Sequence, residues 1–179
     1  KQISDKDFQK AYALSRQFGF PIAVETNNGI FVNELNPIVI ELARLVDHPV
    51  PPVIDIEKEF VEGKCCQLCF YCDEETEKEV MAQLPNLSAS RWHPIFADIN
   101  VKGVDKASGI REFAFYYDFD ISHTIAFGDG GNDISMLREA GIGVAMGGAA
   151  ESIRAVSDYV TDTVDNDGIR NALIHFGFI

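Results

Sequence analysis

The sequence predicts an α/β protein in two parts: an α+β unit over residues 1–97 and, over 98–179, half of a Rossmann-like parallel sheet. Three observations carry this. From about Asp98, short apolar runs alternate strictly with helix-period segments, which is the pattern of a parallel sheet covered on both faces. Before that point the alternation is missing, and a hairpin signal indicates antiparallel pairing. Finally, the apolar strand Thr124-Ile125-Ala126-Phe127-Gly128 breaks at glycines into a helix and delivers Asp129 and Asp133 to the carboxyl end of a strand, where open α/β sheets bind ligands.

The elements follow in chain order. Phe8, Ala11, Tyr12, Leu14, Ser15 and Phe18 recur at helical spacing over 5–19, and Gly19 with Pro21 ends that helix. Ile22 to Thr26, the turn Asn27-Asn28-Gly29 and Ile30 to Val32 make a hairpin. A helix over 38–46 follows Pro37, and Pro49, Pro51 and Pro52 separate it from an extended stretch at 53–56. Next come a cysteine-rich strand, an acidic helix at 74–84, and strands at 87–92 and 95–99. The second part reads helix 104–117, strand 124–128, helix 133–140, strand 142–146, helix 150–157, strand 159–161 and helix 167–175. A short hinge is expected at 97–102.

At 179 residues and 46% hydrophobic content the chain has ample material for packed cores. Its formal net charge of −13 argues against nucleic-acid or anionic-membrane partners, so an anionic substrate must be gripped locally. No apolar run approaches the ~18 residues of a membrane helix, and Lys1 to Asp5 lacks a signal peptide's apolar stretch; a cytoplasmic protein is expected. All four cysteines lie in Cys65-Cys66-Gln67-Leu68-Cys69-Phe70-Tyr71-Cys72. Their Cys-x-x-Cys-x-x-Cys spacing is that of an iron–sulfur run, but on a strand residues three apart point to opposite faces, so they read as small buried hydrophobes.

Around Asp129 the residue types indicate a metal and a phosphate. Gly128, Gly130 and Gly131 let the backbone turn and a ligand approach, and Asn132 or Asp133 can cap the helix that follows. Carboxylates beside a helix N-terminus suit Mg²⁺, which takes one or two carboxylates and completes its shell with water and phosphate oxygens. An ordinary βα turn with acidic helix caps is the plain alternative. Upstream, Val101-Lys102-Gly103-Val104-Asp105-Lys106 places two lysines where another helix opens. Gly141 to Gly148 is not a dinucleotide loop, because its glycines flank a short strand instead of opening a helix.

Gly103-Val104-Asp105-Lys106 followed by Phe127-Gly128-Asp129-Gly130-Gly131-Asn132-Asp133 resembles the haloacid dehalogenase (HAD) superfamily, specifically its Cof-type phosphatases with a large α/β cap. The resemblance implies an α+β cap domain at 1–97 and the carboxyl-terminal part of a Rossmannoid core at 98–179. It further implies a Mg²⁺-dependent phosphomonoester hydrolase of small phosphorylated metabolites such as sugar phosphates, working through an aspartyl-phosphate. Residue by residue, Asp129 matches the metal-ligating acid and Asp133 the second acid, which orients metal-bound water or the loop. Lys106 matches the lysine that neutralises the phosphoryl group, with Lys102 as fallback. Asn132 matches a phosphate-binding position, and Gly130 gives backbone room beside it. Trp92 or His93 could touch the leaving group, packing being the alternative.

The family's nucleophile motif, Asp-x-Asp-Gly-Thr, and its Ser/Thr phosphate-binding motif do not occur in these residues. Asp118-Phe119-Asp120 follows a helix, and Asp165-Asn166-Asp167-Gly168 reads as a helix-opening turn; neither is a nucleophile site. The chain therefore looks like cap plus the second half of the core, inactive by itself. Its expected partner is the amino-terminal core segment, or another copy, packed on the bared sheet edge. The rival readings are a HAD-type phosphosugar mutase and a non-catalytic binding or structural module.

Overall fold

A computed structural model describes residues 1–179. The chain forms two compact units, Lys1–Gly103 and Val104–Ile179. The boundary thus falls later than the 97/98 expected from sequence, and 97–102 is no hinge. Strand β5 (Phe96–Val101) pairs with a neighbour on each side and is an integral member of the first unit's sheet.

That sheet is antiparallel throughout, in the order β2-β1-β3-β5-β4, with β1 at Ile22–Thr26, β2 at Gly29–Val32, β3 at Gln67–Phe70 and β4 at Leu87–His93. Side chains alternate between its faces. Ile22, Val24, Leu68, Phe70, Ala97 and Ile99 join one cluster, which α1 (Asp5–Phe18) completes with Phe8, Ala11 and Leu14. Ser4 caps α1 by accepting the Asp7 N–H at 3.1 Å, and Gly19 ends it at φ +74°. On the opposite face Ala23, Cys69, Tyr71 and Phe96 pack against Val39 and Leu42 of α2 (Pro37–Leu45).

A third helix, α3 (Ile56–Gly63), follows the extended stretch expected at 53–56, in residues where no element was expected. Asp55 caps it, accepting the N–H groups of Glu57 at 3.1 Å and Lys58 at 3.3 Å. Its buried residues, Ile56 and Phe60, sit four apart, and Phe60 stacks on Phe8 with ring centroids 4.0 Å apart. Two apolar anchors are too few to register as a periodicity. The acidic helix α4 spans Glu74–Met81. Cys65 and Cys72 belong to the first cluster and Cys69 to the second, so the cysteines do not converge; burial pushes the Cys65 thiol up to about 12 and that of Cys72 to about 11.

The second unit holds a parallel sheet, β6-β7-β8, formed by Ile125–Gly128, Ile142–Ala145 and Tyr159–Val160. Its helices are α5 (Lys106–Tyr117), α6 (Ile134–Glu139), α7 (Glu151–Arg154) and α8 (Gly168–His175). Ala126, Leu137, Ala140, Ala145, Ala149 and Ile153 form its core. Among the described residues β6 has β7 as its one strand neighbour, and its Ile125 and Phe127 stay partly exposed, so the cover expected of a complete parallel sheet is incomplete there. Helix α7 is shorter than expected because the chain leaves it to bring Asp158 inward, where its carboxylate accepts the Gly143 N–H at 2.8 Å.

Candidate active site

The chain leaves β6 at Gly128, passes Asp129 and Gly130, and enters α6 through a 3₁₀ turn at Gly131–Asp133. Gly128 is dictated by space: a Cβ there would lie 2.5 Å from the Asp133 Cβ. A Cβ at Gly130 would lie 2.8 Å from Asn132 Oδ1, so the glycines and the two side chains that follow form one interlocked loop.

Asp133 organises that loop. It is 5% exposed, and its Oδ2 accepts the N–H groups of Asp129 and Gly130, each at 3.0 Å. Its Oδ1 pairs with Lys106 Nζ. Burial pushes the Asp133 carboxyl up, but the Lys106 ammonium and the two backbone donors outweigh it and hold the group below the usual carboxylate range. Because the carboxylate is spent on the loop, it makes no cap to α6, and the first turn tightens into 3₁₀ geometry.

Lys106 is delivered by a capping box at the opening of α5. Asp105 Oδ1 accepts the Ser108 N–H at 2.8 Å, and Ser108 Oγ accepts the Asp105 N–H at 2.9 Å. Sequence reading named Lys106 but missed its positioning partners, although Asp-x-x-Ser before a helix was a visible cap signal. The Lys106 side chain remains 48% exposed, so the ammonium that grips Asp133 also reaches solvent. Lys102, the fallback, lies in the other unit with its N–H bound to the Asn86 carbonyl.

Asp129 is exposed and enters no ion pair among the described residues, while Asn132 is partly buried beside it. A single exposed carboxylate on a glycine loop, next to a buried carboxylate already neutralised by lysine, fits a hard cation that draws the rest of its shell from water and phosphate. Among the described residues no group of three or more His, Cys, Asp or Glu side chains converges to hold a metal alone.

The two decoys are structural. Asp118 ends α5 in the left-handed region at φ 54°, and Asp120 caps a short turn by accepting the Ser122 N–H at 2.9 Å. Asp167 is likewise left-handed at φ 56°, leading into α8. Arg91 is held by Glu77 at 2.6 Å and by the Cys72 and Pro94 carbonyls, a packing role. Trp92 Nε1 donates to Asp98 Oδ2 at 3.3 Å.

Removing the clamp has a measurable cost. Asp133→Asn is expected to lower the unfolding free energy by about 2 kcal/mol, the size of charge-assisted hydrogen bonds at a buried carboxylate. The urea midpoint of the chain measures this; an unchanged midpoint would show that the loop holds itself without the carboxylate.

The family model described as haloacid dehalogenase-like hydrolase matches residues 1–173 of this chain. The chain belongs to the haloacid dehalogenase-like hydrolases. Among these hydrolases, BT1666 from Bacteroides thetaiotaomicron, a phosphatase-group member of known structure, is 57% identical, with a TM-score of 0.92 over 99% of this chain and 66% of its own. BT4131, described as a HAD subclass IIB sugar phosphatase, is 37% identical with a TM-score of 0.90, over 100% of this chain and 69% of its own. In Bacillus subtilis (strain 168), the 5-amino-6-(5-phospho-D-ribitylamino)uracil phosphatase YcsE is 34% identical over 107 residues, which is 58% of this chain and 43% of that protein. The chain spans about half the length of the curated relatives it matches.

Proposed function

We propose that the whole protein is a Mg²⁺-dependent phosphomonoester hydrolase of small phosphorylated metabolites, with sugar phosphates as the first substrates to test, acting in the cytoplasm. The observation that carries this reading is the Asp133 clamp, which fixes one exposed carboxylate, two glycine-flanked backbone positions and one ammonium at the carboxyl end of β6. Support comes from the family and from the phosphatases named above. No helix among the described residues is long and apolar enough to cross a membrane.

In this reading Asp129 is a metal ligand, and Mg²⁺ supplies charge neutralisation at the phosphoryl oxygens. Lys106 adds a compact positive charge to the same group, and Asp133 holds that ammonium in place. Asn132 donates an amide hydrogen bond to a phosphate oxygen, and Gly130 leaves room for it. The nucleophile is an aspartate on a core segment outside these 179 residues, and phosphoryl transfer proceeds mainly through positioning and electrostatics.

The experiment is a phosphate-release screen of the full-length protein against sugar phosphates and other small phosphomonoesters, with Mg²⁺ and with chelator. Release that requires the metal is the expected result. Isomerised sugar phosphate without release would indicate a mutase, and no turnover of any ester would favour a binding module.

A further inference from the structure

Beyond the carboxyl end of β7 the chain makes a short loop, Met146-Gly147-Gly148-Ala149, before α7 begins at Glu151. Register brings this loop to Asp129. Gly128 pairs with Ala145, so Met146 stands beside the point where the chain leaves β6, and its N–H donates to the Gly128 carbonyl at 2.9 Å. The other half of the same peptide group, the Asp129 N–H, donates to Asp133 Oδ2 at 3.0 Å. The Gly128–Asp129 peptide is therefore held from both sides, by Asp133 in the turn before α6 and by Met146 in the loop after β7. A peptide group is planar, so fixing its two ends fixes the direction from which the Asp129 side chain leaves the backbone.

The Met146 side of this grip is anchored by Arg154. That residue belongs to α7, is partly buried, and enters no ion pair among the described residues. Its guanidinium forks onto backbone instead: Nε donates to the Ala149 carbonyl at 2.8 Å and Nη2 to the Gly147 carbonyl. Neither carbonyl accepts another hydrogen bond among the described residues. Two carbonyls side by side suit a planar fork of parallel N–H groups.

Both points the fork joins are themselves fixed. The Gly147 N–H donates to the Asp162 carbonyl at 3.1 Å, and a Cβ at Gly147 would lie 2.7 Å from the Asp162 carbonyl carbon. Ala149 is buried in the cluster that contains Leu137 of α6. Arg154 ties these anchors into one unit, and Met146 begins that unit.

We infer that Arg154 is a positioning residue for the metal ligand. By locking the 146–149 loop it steadies the Met146 N–H, and through it the peptide from which the Asp129 carboxylate is presented. This rests on the reading of Asp129 as a Mg²⁺ ligand given above. Groups that orient a ligand from behind change metal affinity about 10–100-fold when removed, and Arg154, which acts one step further back, belongs at the lower end of that range.

The test uses the full-length protein with two variants. Arg154→Met keeps the apolar stem and removes the donors, whereas Arg154→Lys keeps the charge but loses the fork. MgCl₂ is titrated at constant ionic strength and read twice: by the rise in thermal midpoint without substrate, which reports binding to the folded state, and by the half-saturating Mg²⁺ concentration for phosphate release. The expected result is Mg²⁺ binding about tenfold weaker in Arg154→Met by both readouts, with the rate at saturating Mg²⁺ within about threefold of wild type, and Arg154→Lys in between. An arginine that served stability alone would lower the midpoint without Mg²⁺ and leave the Mg²⁺ response unchanged, which would overturn the inference. Asp129→Asn separates the two layers. If it loses Mg²⁺ binding while folded Arg154→Met binds Mg²⁺ as wild type does, the inference about Arg154 falls alone. If wild type and Asp129→Asn respond alike to Mg²⁺, the reading of Asp129 falls and this inference with it. Should Arg154→Met not fold, Arg154→Lys decides on the same terms, unchanged Mg²⁺ affinity counting against the inference.

Discussion

Lys106→Ala in the full-length protein is expected to lower phosphate release by about 10²–10³-fold, the range for removing one preorganised charge from a transition-state site. The structure places this ammonium at the first position of α5, where the helix N-terminus adds to its positive field. It faces Asp133 on one side and solvent on the other, so it is held in place while a phosphoryl group can still reach it. Lys106→Arg is expected to restore little activity, since a planar guanidinium does not occupy the space of a compact ammonium. The substitution also deprives Asp133 of its charge partner, so circular dichroism must accompany the assay. A folded Lys106→Ala protein with undiminished turnover would remove Lys106 from the reaction.

The second large effect concerns the 179 residues by themselves. They are expected to release no phosphate and to self-associate. Among the described residues strand β6 has a strand neighbour on one side only, and its Ile125 and Phe127 are partly exposed. Helix α5 presents Phe113, Phe115, Tyr116 and Tyr117 to solvent, Phe115 at 87% and Tyr116 at 78% exposure. An open strand edge and an exposed aromatic helix surface are each templates for association. We propose that the amino-terminal core segment covers this region in the whole protein, and that copies of the chain substitute for it when it is absent. Sedimentation velocity over a range of concentrations measures this. A monomer at all concentrations would contradict the proposal. Metal-dependent turnover by the 179 residues, abolished by changing Asp118, Asp120, Asp165 or Asp167, would show that one of those aspartates is a nucleophile after all.

Legibility in the sequence followed physical scale. The amphipathic α1 was readable from the period of its buried face, and β1 and β3 as short apolar runs packed on both faces of the sheet. Helix α3 was not, because two buried residues and one capping aspartate leave no periodicity to detect. The domain boundary was misplaced because β5 carries both apolar residues and Asp98, whose place in a five-stranded sheet only the pairing shows. At the site, the glycine loop and its carboxylates were visible as residue types. That Asp133 spends its oxygens on two backbone N–H groups and Lys106, leaving Asp129 outward, is a matter of tertiary geometry that spacing does not encode.

The most direct test of the central claim, that the β6 end is a metal-assisted phosphoryl-transfer site with Asp129 as a ligand, is the Mg²⁺ dependence of phosphate release by full-length wild-type and Asp129→Asn proteins. Asparagine keeps the size of the side chain and leaves the Asp129 N–H bound to Asp133, so the loop is expected to persist while the cation loses its anionic ligand. The account predicts metal-dependent release by the wild type and a sharp loss in the folded variant, with any residual activity needing much more Mg²⁺. Equal rates at equal Mg²⁺ in the two folded proteins would contradict it.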